Sequence, residues 1–504
     1  MVAQLLALVA VVGPAPASGQ AGRTTIVILH TSDYHSHAPS HYSEGEFGMG
    51  GLARAIRLMR DERARNPNTV ILSGGDTMNA GTPAWSDKYQ CAEWQLFNGL
   101  QDAMAFGNHE LDYGWQRFQD CRASIDYPVL SANFLGQNGQ PVLPGWVVLE
   151  RGGIRLGIFA LAGGDFEKLV RPVDRPPDSF FSDGLAAALQ TVQYLRETEK
   201  VNAVVLIGHR AYEEDQKLAR EVPGIDLILG THSHRKEPFG RIEGSDTFYI
   251  SPFQYLDYVS RVELSFEAGR LSEVNGDLVR MDSSHPEDPG IAALVARMQA
   301  ELQADPKYAP RFEKLGQAAV ELSDAGIGTG ETVLGNFVMD TIRAEVGAHA
   351  ALSTASSFRA AIPPGDISVE DYLTAVPYKN VVLVHELSGS QLQALLDLSV
   401  ARRGTDNFSQ VSGVRFAIRE GKAAEILVLV DPTNPAAGFA PLQPDASYQV
   451  ATTDFQARIA AGYSDIFKTA AGVRDTGIVV NDLMMAKIRA SSPVRAELDG
   501  RIRS

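Results

Sequence analysis

The chain has 504 residues, a formal net charge of −16 and 21% charged residues, a composition that is ordinary for a soluble globular protein. Its length exceeds what one hydrophobic core usually supports, so we expect two domains and a connector. The acidic excess argues against binding to the backbone of a nucleic-acid polymer, because such proteins gather Lys and Arg into basic patches. An anionic substrate would therefore need a local positive charge, which bound metal ions can supply.

The first residues resemble an export signal. Residues 2–12 form an apolar run, and Ala15 and Ala17 have the spacing of a cleavage site, so we expect residues 1–23 to be a signal peptide and leader. The basic residues that usually precede such a run are missing, which leaves a short hydrophobic N-terminal helix as the alternative. No later run reaches the roughly 18 apolar residues of a membrane span. We therefore expect a secreted protein, periplasmic or extracellular.

The chain contains two cysteines, Cys91 and Cys121. One disulfide formed in an oxidising compartment would account for them. Two buried free thiols are the alternative that the sequence leaves open.

From residue 24 to 285, short apolar runs alternate with amphipathic helical stretches, which predicts an α/β domain. Several runs are apolar without alternation, as in strands that are covered on both faces. Apolar residues at helical spacing predict helices over 51–66 and 185–200. The predicted strands are 25–29, 69–72, 102–106, 128–134, 203–207 and 226–229, with hairpins over 146–161 and 258–281.

A change in composition at 282–290 ends this first domain. The charged stretch that follows predicts a helix reaching about residue 316, and we take 286–327 as a helical connector. A second α/β domain is expected over 328–504. Its clearest predicted elements are a helix over 334–346, a strand over 380–387 and a capped helix over 388–403.

Polar side chains follow five of the predicted strands. In open α/β sheets, ligands gather beyond the carboxyl ends of the strands. One such residue alone is more typical of a helix cap, a turn or packing, but five successive strand ends predict a metal site. Nitrogen and oxygen ligands together suit Mn, Zn, Fe, Co or Ni without selecting among them. The residues at these ends are Asp33, His35, Asp76, Asn108, His109, His209, His232 and His234.

The segments TSDYHSH, GGDT, GNHELD, GHR and GTHSH carry these residues, and their order and spacing resemble the calcineurin-like metallophosphoesterase motifs. The resemblance implies a four-layer α-β-β-α domain with two divalent metal ions and a metal-bridging hydroxide that attacks phosphorus. Two cations can lower the pKa of water from about 15.7 toward ~7 and neutralise charge on the phosphate. The implied ligands are Asp33, His35 and His234 for one metal, Asn108, His209 and His232 for the other, and Asp76 as the bridge.

His109 and Asp112 resemble the catalytic His-Asp pair of the same family. Asp112 lies one helical turn after His109 and can hydrogen-bond its imidazole. The implied role of His109 is to stabilise the transition state and assist the leaving oxygen. A purely structural role beside a metal ligand is the alternative.

The second domain resembles the substrate-binding domain of the 5'-nucleotidase family in ETVLGNFVMD, TASSFRAAIPPGDIS, AVPYKN and TDFQARIAAGYSDIF. The resemblance implies that Arg359 binds the phosphate and that Tyr378 and Phe455 stack on a base. Three positions depart from the family pattern. Gly330, Thr354 and Ala461 stand where the family has Arg, Asn and Asp, and losing substrate contacts relaxes discrimination among analogues.

The sequence thus predicts a secreted hydrolase of nucleotide phosphate esters, similar to 5'-nucleotidases and UDP-sugar hydrolases, with a small phosphorylated molecule as its partner. The three departures favour an alternative in the same superfamily: a 2',3'-cyclic nucleotide phosphodiesterase, a non-nucleotide phosphatase or a thiosulfohydrolase. A binding protein whose catalysis has decayed is a third hypothesis. The complete set of predicted metal ligands argues against it.

Overall fold

The computed structural model describes residues 23–504. The predicted signal peptide and leader therefore lies, except for Arg23, outside the described residues. Among residues 23–504, no helix is both long enough and apolar enough to cross a membrane.

The first half of the chain forms two six-stranded sheets with helices outside them. Its strands are β1 (Thr24–Thr31), β2 (His41–Ser43), β3 (Glu46–Met49), β4 (Val70–Ser73), β5 (Ala103–Ala105), β6 (Val129–Leu130), β7 (Phe134–Leu135), β8 (Trp146–Arg151), β9 (Ile154–Phe159), β10 (Phe180–Phe181), β11 (Ala203–Ile207), β12 (Leu227–Leu229), β13 (Lys236–Arg241), β14 (Phe248–Pro252), β15 (Tyr258–Glu267) and β16 (Arg270–Arg280). Its helices are α1 (Leu52–Arg65), α2 (Ala84–Tyr89), α3 (Cys91–Gln95), α4 (Gly114–Ala123), α5 (Phe166–Leu169), α6 (Gly184–Glu197) and α7 (Tyr212–Glu221), with 3₁₀ turns at His109–Leu111 and Pro172–Asp174.

The two sheets have the orders β16-β15-β1-β4-β5-β6 and β13-β14-β12-β11-β9-β8. Strands β1, β4, β5 and β6 are parallel, and so are β9, β11, β12 and β14. Ile26 and Ile28 pack between the sheets, whereas Val27 and Leu29 face the helices. Because β1 is buried on both faces, it needs the continuous apolar run seen in the sequence. The predicted four-layer arrangement is confirmed.

Two predicted elements differ from the structure. The predicted strand over 128–134 is two short strands, β6 and β7, because the side chain of Asn133 bonds to the backbone of Ala162 and Ser182 in between. The predicted helix reaching residue 316 is wrong. It ends as α8 (Pro289–Ala304), and Asp305 is extended because the following Pro306 disfavours helical backbone there.

The rest of the chain adds three further sheets. Its strands are β17 (Lys314–Ala318), β18 (Ala350–Thr354), β19 (Gly365–Ser368), β20 (Val381–Ser388), β21 (Ser409–Ser412), β22 (Val414–Arg419), β23 (Lys422–Leu429), β24 (Phe439–Pro441), β25 (Ser447–Thr453), β26 (Gly472–Val479) and β27 (Ile502–Arg503). Its helices are α9 (Val333–Val346), α10 (Val369–Ala375), α11 (Gly389–Ala401), α12 (Asp454–Arg458), α13 (Tyr463–Phe467) and α14 (Val480–Ser491), with 3₁₀ turns at Ala309–Phe312, Ala355–Ser357 and Pro435–Ala437.

The central sheet of this second half has the order β21-β18-β25-β20-β26. Helices α9 and α14 pack on one of its faces, and α11 and α13 pack on the other. Strand β17 pairs with β19, so residues 314–318 of the predicted connector pair with the second half of the chain. The exact division at 24–285, 286–327 and 328–504 stays a prediction.

A disulfide joins Cys91 to Cys121 and links α3 to α4. Both cysteines lie in the core on the helix side of the first sheet. Of the two possibilities that the sequence left open, the structure has the disulfide.

Candidate metal centre and catalytic site

The carboxyl ends of strands from both sheets meet at one place. Asp33 and His35 follow β1, Asp76 follows β4, and Asn108 and His109 follow β5 of the first sheet. His209 follows β11 and His232 and His234 follow β12 of the second sheet. Because the two sheets pack face to face with these ends at the same edge, side chains far apart in sequence converge.

The backbone at these ends is held in an unusual conformation. Five of the predicted ligands have left-handed φ angles between 44° and 61°, namely Asp33, His35, Asp76, His232 and His234. This region is disfavoured for residues with a side chain, and it persists where the surrounding structure enforces it, which is common at functional sites. The backbone conformation after these strands therefore helps to bring the five side chains together.

Six of the predicted ligands and the predicted catalytic residue His109 form three overlapping groups, and within each group the candidate ligand atoms lie within 4.8 Å of one another. His234 Nε2 lies 3.3 Å from Asp33 Oδ1, and His209 Nε2 lies 3.0 Å from Asp76 Oδ2. His35 Nε2 lies 3.7 Å from the same Asp76 oxygen. The groups are Asp33, His35 and His234; His35, Asp76 and His109; and Asp76, His209 and His232. Asp76 thus lies between the two sides of the site.

The residues present fit divalent cations. His209 Nδ1 donates to the carbonyl of Gly74 at 2.7 Å, so its Nε2 is the atom left facing the carboxylates. Within residues 23–504, Asn108 Oδ1 is buried and has no hydrogen-bond partner, and the buried His209 Nε2 and Asp33 Oδ1 face only other candidate ligands, Asp76 and His234. Buried polar atoms are seldom left unpaired, and this mixed nitrogen and oxygen set is one that transition-metal ions prefer.

The electrostatics favour ionised carboxylates at the centre. Burial opposes the charge of Asp76, but His209 and His109 outweigh it and hold the pKa of Asp76 well below its usual range. Burial likewise opposes the charge of His209, yet Asp76 raises the pKa of His209 to about 9. A bound metal would take the place of that proton, since ligands bind metal in their deprotonated form.

Glu110 organises the loop that carries Asp76. Its buried carboxylate accepts hydrogen bonds from the backbone N–H groups of Gly107, Asp76 and Thr77 at 2.7, 2.9 and 2.7 Å. A Cβ atom at position 107 would lie 2.2 Å from Asp76 Oδ1. Gly107 and Glu110, the glycine and glutamate of the GNHE segment, therefore hold the loop after β4 against the loop after β5.

The predicted catalytic pair is assembled beside Asp76. His109 Nδ1 lies 2.7 Å from Asp112 Oδ2, and Asp112 also accepts from the backbone N–H of Ala80 at 2.7 Å. Burial lowers the pKa of His109, but Asp112 and Asp76 outweigh it and raise the pKa to about 9. With Nδ1 bonded to Asp112, Nε2 is the His109 atom that can present a proton to a substrate oxygen.

Arg359 reaches the metal centre from the second half of the chain. Its Nη1 donates to His234 Nδ1 at 3.2 Å, and its guanidinium carbon lies 5.8 Å from the centre of the Tyr378 ring. Phe455 is half-buried and packs on the core beneath β20 and β25. The structure brings Arg359 and Tyr378 to the site, whereas the stacking roles of Tyr378 and Phe455 stay predictions.

At the three positions that depart from the family pattern, the residue present does not replace the substrate-binding side chain that the family has there. Gly330 offers only its carbonyl, which accepts from Gln410 Nε2 at 2.7 Å. The hydroxyl of Thr354 is buried and pairs with Ser356 Oγ at 2.8 Å. Ala461 is exposed. None of the three supplies a charged group for a substrate.

Sequence reasoning missed Asp165. His232 Nε2 lies 3.1 Å from Asp165 Oδ2, which leaves His232 Nδ1 to face the metal centre. A Cβ at Gly163 would lie 2.7 Å from Asp165 Oδ1, so the glycine makes room for the carboxylate. Asp165 follows the carboxyl end of β9, and the strand-end rule that found the other residues could have found it.

Comparisons with known proteins agree with this geometry. Residues 26–236 match the calcineurin-like phosphoesterase family, and residues 314–469 match the 5'-nucleotidase C-terminal domain. The chain is 26% identical to the protein UshA of Yersinia enterocolitica, covering 94% of this chain and 92% of that one. It is 25% identical to the trifunctional nucleotide phosphoesterase protein YfkN of Bacillus subtilis over 96% of this chain, but it spans only 35% of YfkN. The crystal structure of a 5'-nucleotidase precursor from Thermus thermophilus superposes with a TM-score of 0.79 at 28% identity, covering 95% of this chain and 99% of that one.

Proposed function

The chain belongs to the 5'-nucleotidase family of metal-dependent phosphoester hydrolases, and from this premise we propose that it hydrolyses nucleotide phosphate esters at a dinuclear metal centre. Asp33, His35 and His234 would hold one metal ion, and Asn108, His209 and His232 would hold the other. Asp76, which lies between these two groups, would contribute to both.

The observation that carries the proposal is the convergence on Asp76. Imidazole nitrogens from both sheets approach its Oδ2, His209 at 3.0 Å and His35 at 3.7 Å. A single carboxylate approached from two sides is what a bridging ligand requires. Asn108 Oδ1, buried and without a hydrogen-bond partner among the described residues, adds a further possible metal ligand.

The chain's own residues account for binding and proton transfer. When bound, the cations supply Lewis-acid charge and lower the pKa of a coordinated water. Arg359, whose guanidinium lies against His234, holds the phosphate and offsets its negative charge. His109, oriented by Asp112, donates its proton to the leaving oxygen as the bond to phosphorus breaks.

The substrate is a small phosphorylated molecule, and the protein acts outside the cytoplasm. The disulfide between Cys91 and Cys121 supports export, because disulfides persist mainly in oxidising compartments. The apolar run over 2–12 followed by Ala15 and Ala17 supports the same location.

A second candidate is a hydrolase of the same superfamily that acts on a phosphate ester other than a nucleotide. Two observations favour it. Ala461, which is exposed, stands at the position where the family has an Asp that binds the ribose hydroxyls. Tyr378 and Phe455 also do not line the cavity that opens on His232 and His234.

The test is a hydrolysis panel with Mn²⁺-loaded protein and four substrates: AMP, a UDP-sugar, 2',3'-cyclic AMP and p-nitrophenyl phosphate. We expect AMP to be preferred. We also expect Asp76→Asn to lower kcat/KM about a thousandfold, or roughly 4 kcal/mol, because charge stabilisation by bound metals is worth several kcal/mol. The matched control is Asp246→Asn, which changes a fully exposed carboxylate.

The outcomes separate the candidates. AMP turned over no better than p-nitrophenyl phosphate would favour the second candidate. Unchanged ester hydrolysis by the Asp76→Asn variant would contradict both candidate functions.

A further inference from the structure

The catalytic pair is bonded to the loop formed by residues 79–83, which we call the 79–83 loop. The N–H of Ala80 in this loop donates to Asp112 Oδ2 at 2.7 Å. The same oxygen lies 2.7 Å from His109 Nδ1. Because one carboxylate oxygen bonds both to the loop and to the imidazole, a shift of the loop would move Asp112 and turn His109.

Helix α2 anchors the backbone N–H groups of the 79–83 loop. The N–H of Asn79 donates to Ser86 Oγ at 2.9 Å, and the N–H of Gly81 donates to Asp87 Oδ1 at 2.9 Å. These bonds leave the carbonyl of Gly81 and the hydroxyl of Thr82 to be bonded from another part of the chain.

Arg311 supplies those bonds from the stretch between α8 and β17. It lies in the 3₁₀ turn Ala309–Phe312, and its Nη1 donates to the carbonyl of Gly81. Its Nη2 donates to Thr82 Oγ1 at 3.2 Å. Since both terminal nitrogens of one rigid, planar guanidinium are used, Arg311 fixes the orientation of the loop as well as its position.

Glu370 holds Arg311 in place and contacts the end of the loop itself. Its Oε2 lies 2.5 Å from Arg311 Nε, and its Oε1 accepts from the N–H of Ala84 at 2.6 Å. Glu370 lies in the first turn of α10, whereas Ala84 is the first residue of α2. The two charged side chains are only 16% and 13% exposed, so solvent and salt screen their attraction little.

We propose that Arg311 and Glu370 are positioning residues for the catalytic pair. Through the 79–83 loop they hold Asp112 where it directs His109 at the leaving oxygen. Ala80 and Gly81 are consecutive, so the carbonyl bonded by Arg311 is one residue away from the N–H bonded to Asp112. A displacement of about 1 Å caused by a mutation away from the chemistry can cost about a hundredfold in rate.

This role rests on the proposed function, because His109 needs a fixed direction only if it delivers a proton to an ester oxygen. The two esters AMP and p-nitrophenyl phosphate differ in how much they need that proton. The 5'-oxygen of AMP is a poor leaving group and depends on a proton donor, whereas p-nitrophenolate leaves with little help. A misdirected His109 should therefore slow AMP hydrolysis selectively.

The test compares kcat and KM for these two esters in Mn²⁺-loaded protein. Arg311→Gln and Glu370→Ala should each lower kcat for AMP about tenfold or more, with KM changed less than about twofold. Their kcat for p-nitrophenyl phosphate should fall less than about threefold. Arg311→Lys keeps the charge beside Glu370 but loses the planar fork, so its effect should be intermediate. Arg297→Gln, which changes an exposed arginine of α8, is the matched control and should change nothing.

Two further measurements follow the proposed route from Arg311 to His109. Hydrogen–deuterium exchange in a peptide that covers the 79–83 loop should be faster in Arg311→Gln than in the wild-type protein, and unchanged in Arg297→Gln. In a His109→Gln background, Arg311→Gln should lower the rate of AMP hydrolysis by less than about twofold, because residues that act as one unit are not additive.

The outcomes separate the positioning role from the proposed function. A similar loss for both esters, or an unchanged kcat for AMP in Arg311→Gln and Glu370→Ala, overturns the positioning role while hydrolysis stands. A further tenfold loss in the His109→Gln background overturns it too. If the metal-loaded wild-type protein hydrolyses neither ester, the proposed function fails, and the positioning role fails with it. Melting temperatures within a few degrees of wild type establish that each variant is folded.

Discussion

Replacing Asp165 with Ala should weaken one metal site and leave the other nearly intact. Asp165 Oδ2 lies 3.1 Å from His232 Nε2, so the carboxylate fixes both the ring orientation and which nitrogen carries the proton. Burial raises the pKa of Asp165, but His232 outweighs it and lowers the pKa, so the group is charged at neutral pH. A charged partner also makes His232 Nδ1 a better donor to metal.

The expected magnitude follows from this contact. Removing such a partner of a metal-bound histidine typically costs ten- to a hundredfold in metal affinity, which is about 1.4 to 2.8 kcal/mol. Asp165→Asn keeps an oxygen acceptor and loses the charge, so its effect should lie at the low end of that range. Only the site that contains His232 should respond.

Isothermal titration of Mn²⁺ into chelator-treated protein measures both sites directly. The wild-type protein should bind two equivalents, and Asp165→Ala should bind one with unchanged affinity and one ten- to a hundredfold more weakly. Asp246→Ala removes a fully exposed carboxylate and serves as the control. Two equivalents of wild-type affinity in Asp165→Ala would refute the reasoning.

Three further predictions concern stability. Mn²⁺ at a hundred times its dissociation constant should raise the free energy of unfolding by about 2.7 kcal/mol in the wild-type protein and by much less in Asp76→Asn, as measured by urea titration. Replacing Cys91 and Cys121 with Ser should lower that free energy by about 3.6 kcal/mol for a separation of 30 residues, and an unchanged urea midpoint would contradict this. Burial raises the pKa of Glu93 from 4.5 to about 8, so the folded protein keeps a proton that the unfolded chain releases. The free energy of unfolding should therefore fall from about pH 4.5 to about pH 8, and Glu93→Gln should flatten that fall in urea titrations at pH 5 and pH 8.

The strand-end residues could be predicted from the sequence because their signal is local. Asp33, Asp76 and His209 each follow a continuous apolar run, and parallel strands bring such ends together at one edge. Asp165 has the same signal after β9. The strand-end rule was applied to the runs predicted as single strands and not to the hairpin predicted over 146–161, so Asp165 was missed.

Other features depend on contacts that no local pattern reveals. Gln254 has no motif, and its side chain contacts the carbonyl of Arg359, which lies in the other half of the chain. The helix predicted to reach residue 316 follows the charge and apolar spacing of the sequence, but Pro306 ends it and β17 begins ten residues after Ala304. The end of this helix is therefore set by Pro306, and the side-chain contacts are set by tertiary packing; sequence periodicity predicts neither.

The central claim is that Asp76 bridges two metal ions. Anomalous diffraction from crystals grown with Mn²⁺ tests it directly. The account predicts two anomalous peaks about 3.5–4 Å apart, each in contact with a different oxygen or side of the Asp76 carboxylate, with His35 at one and His209 at the other. A single peak, or two peaks of which neither contacts Asp76, would contradict it.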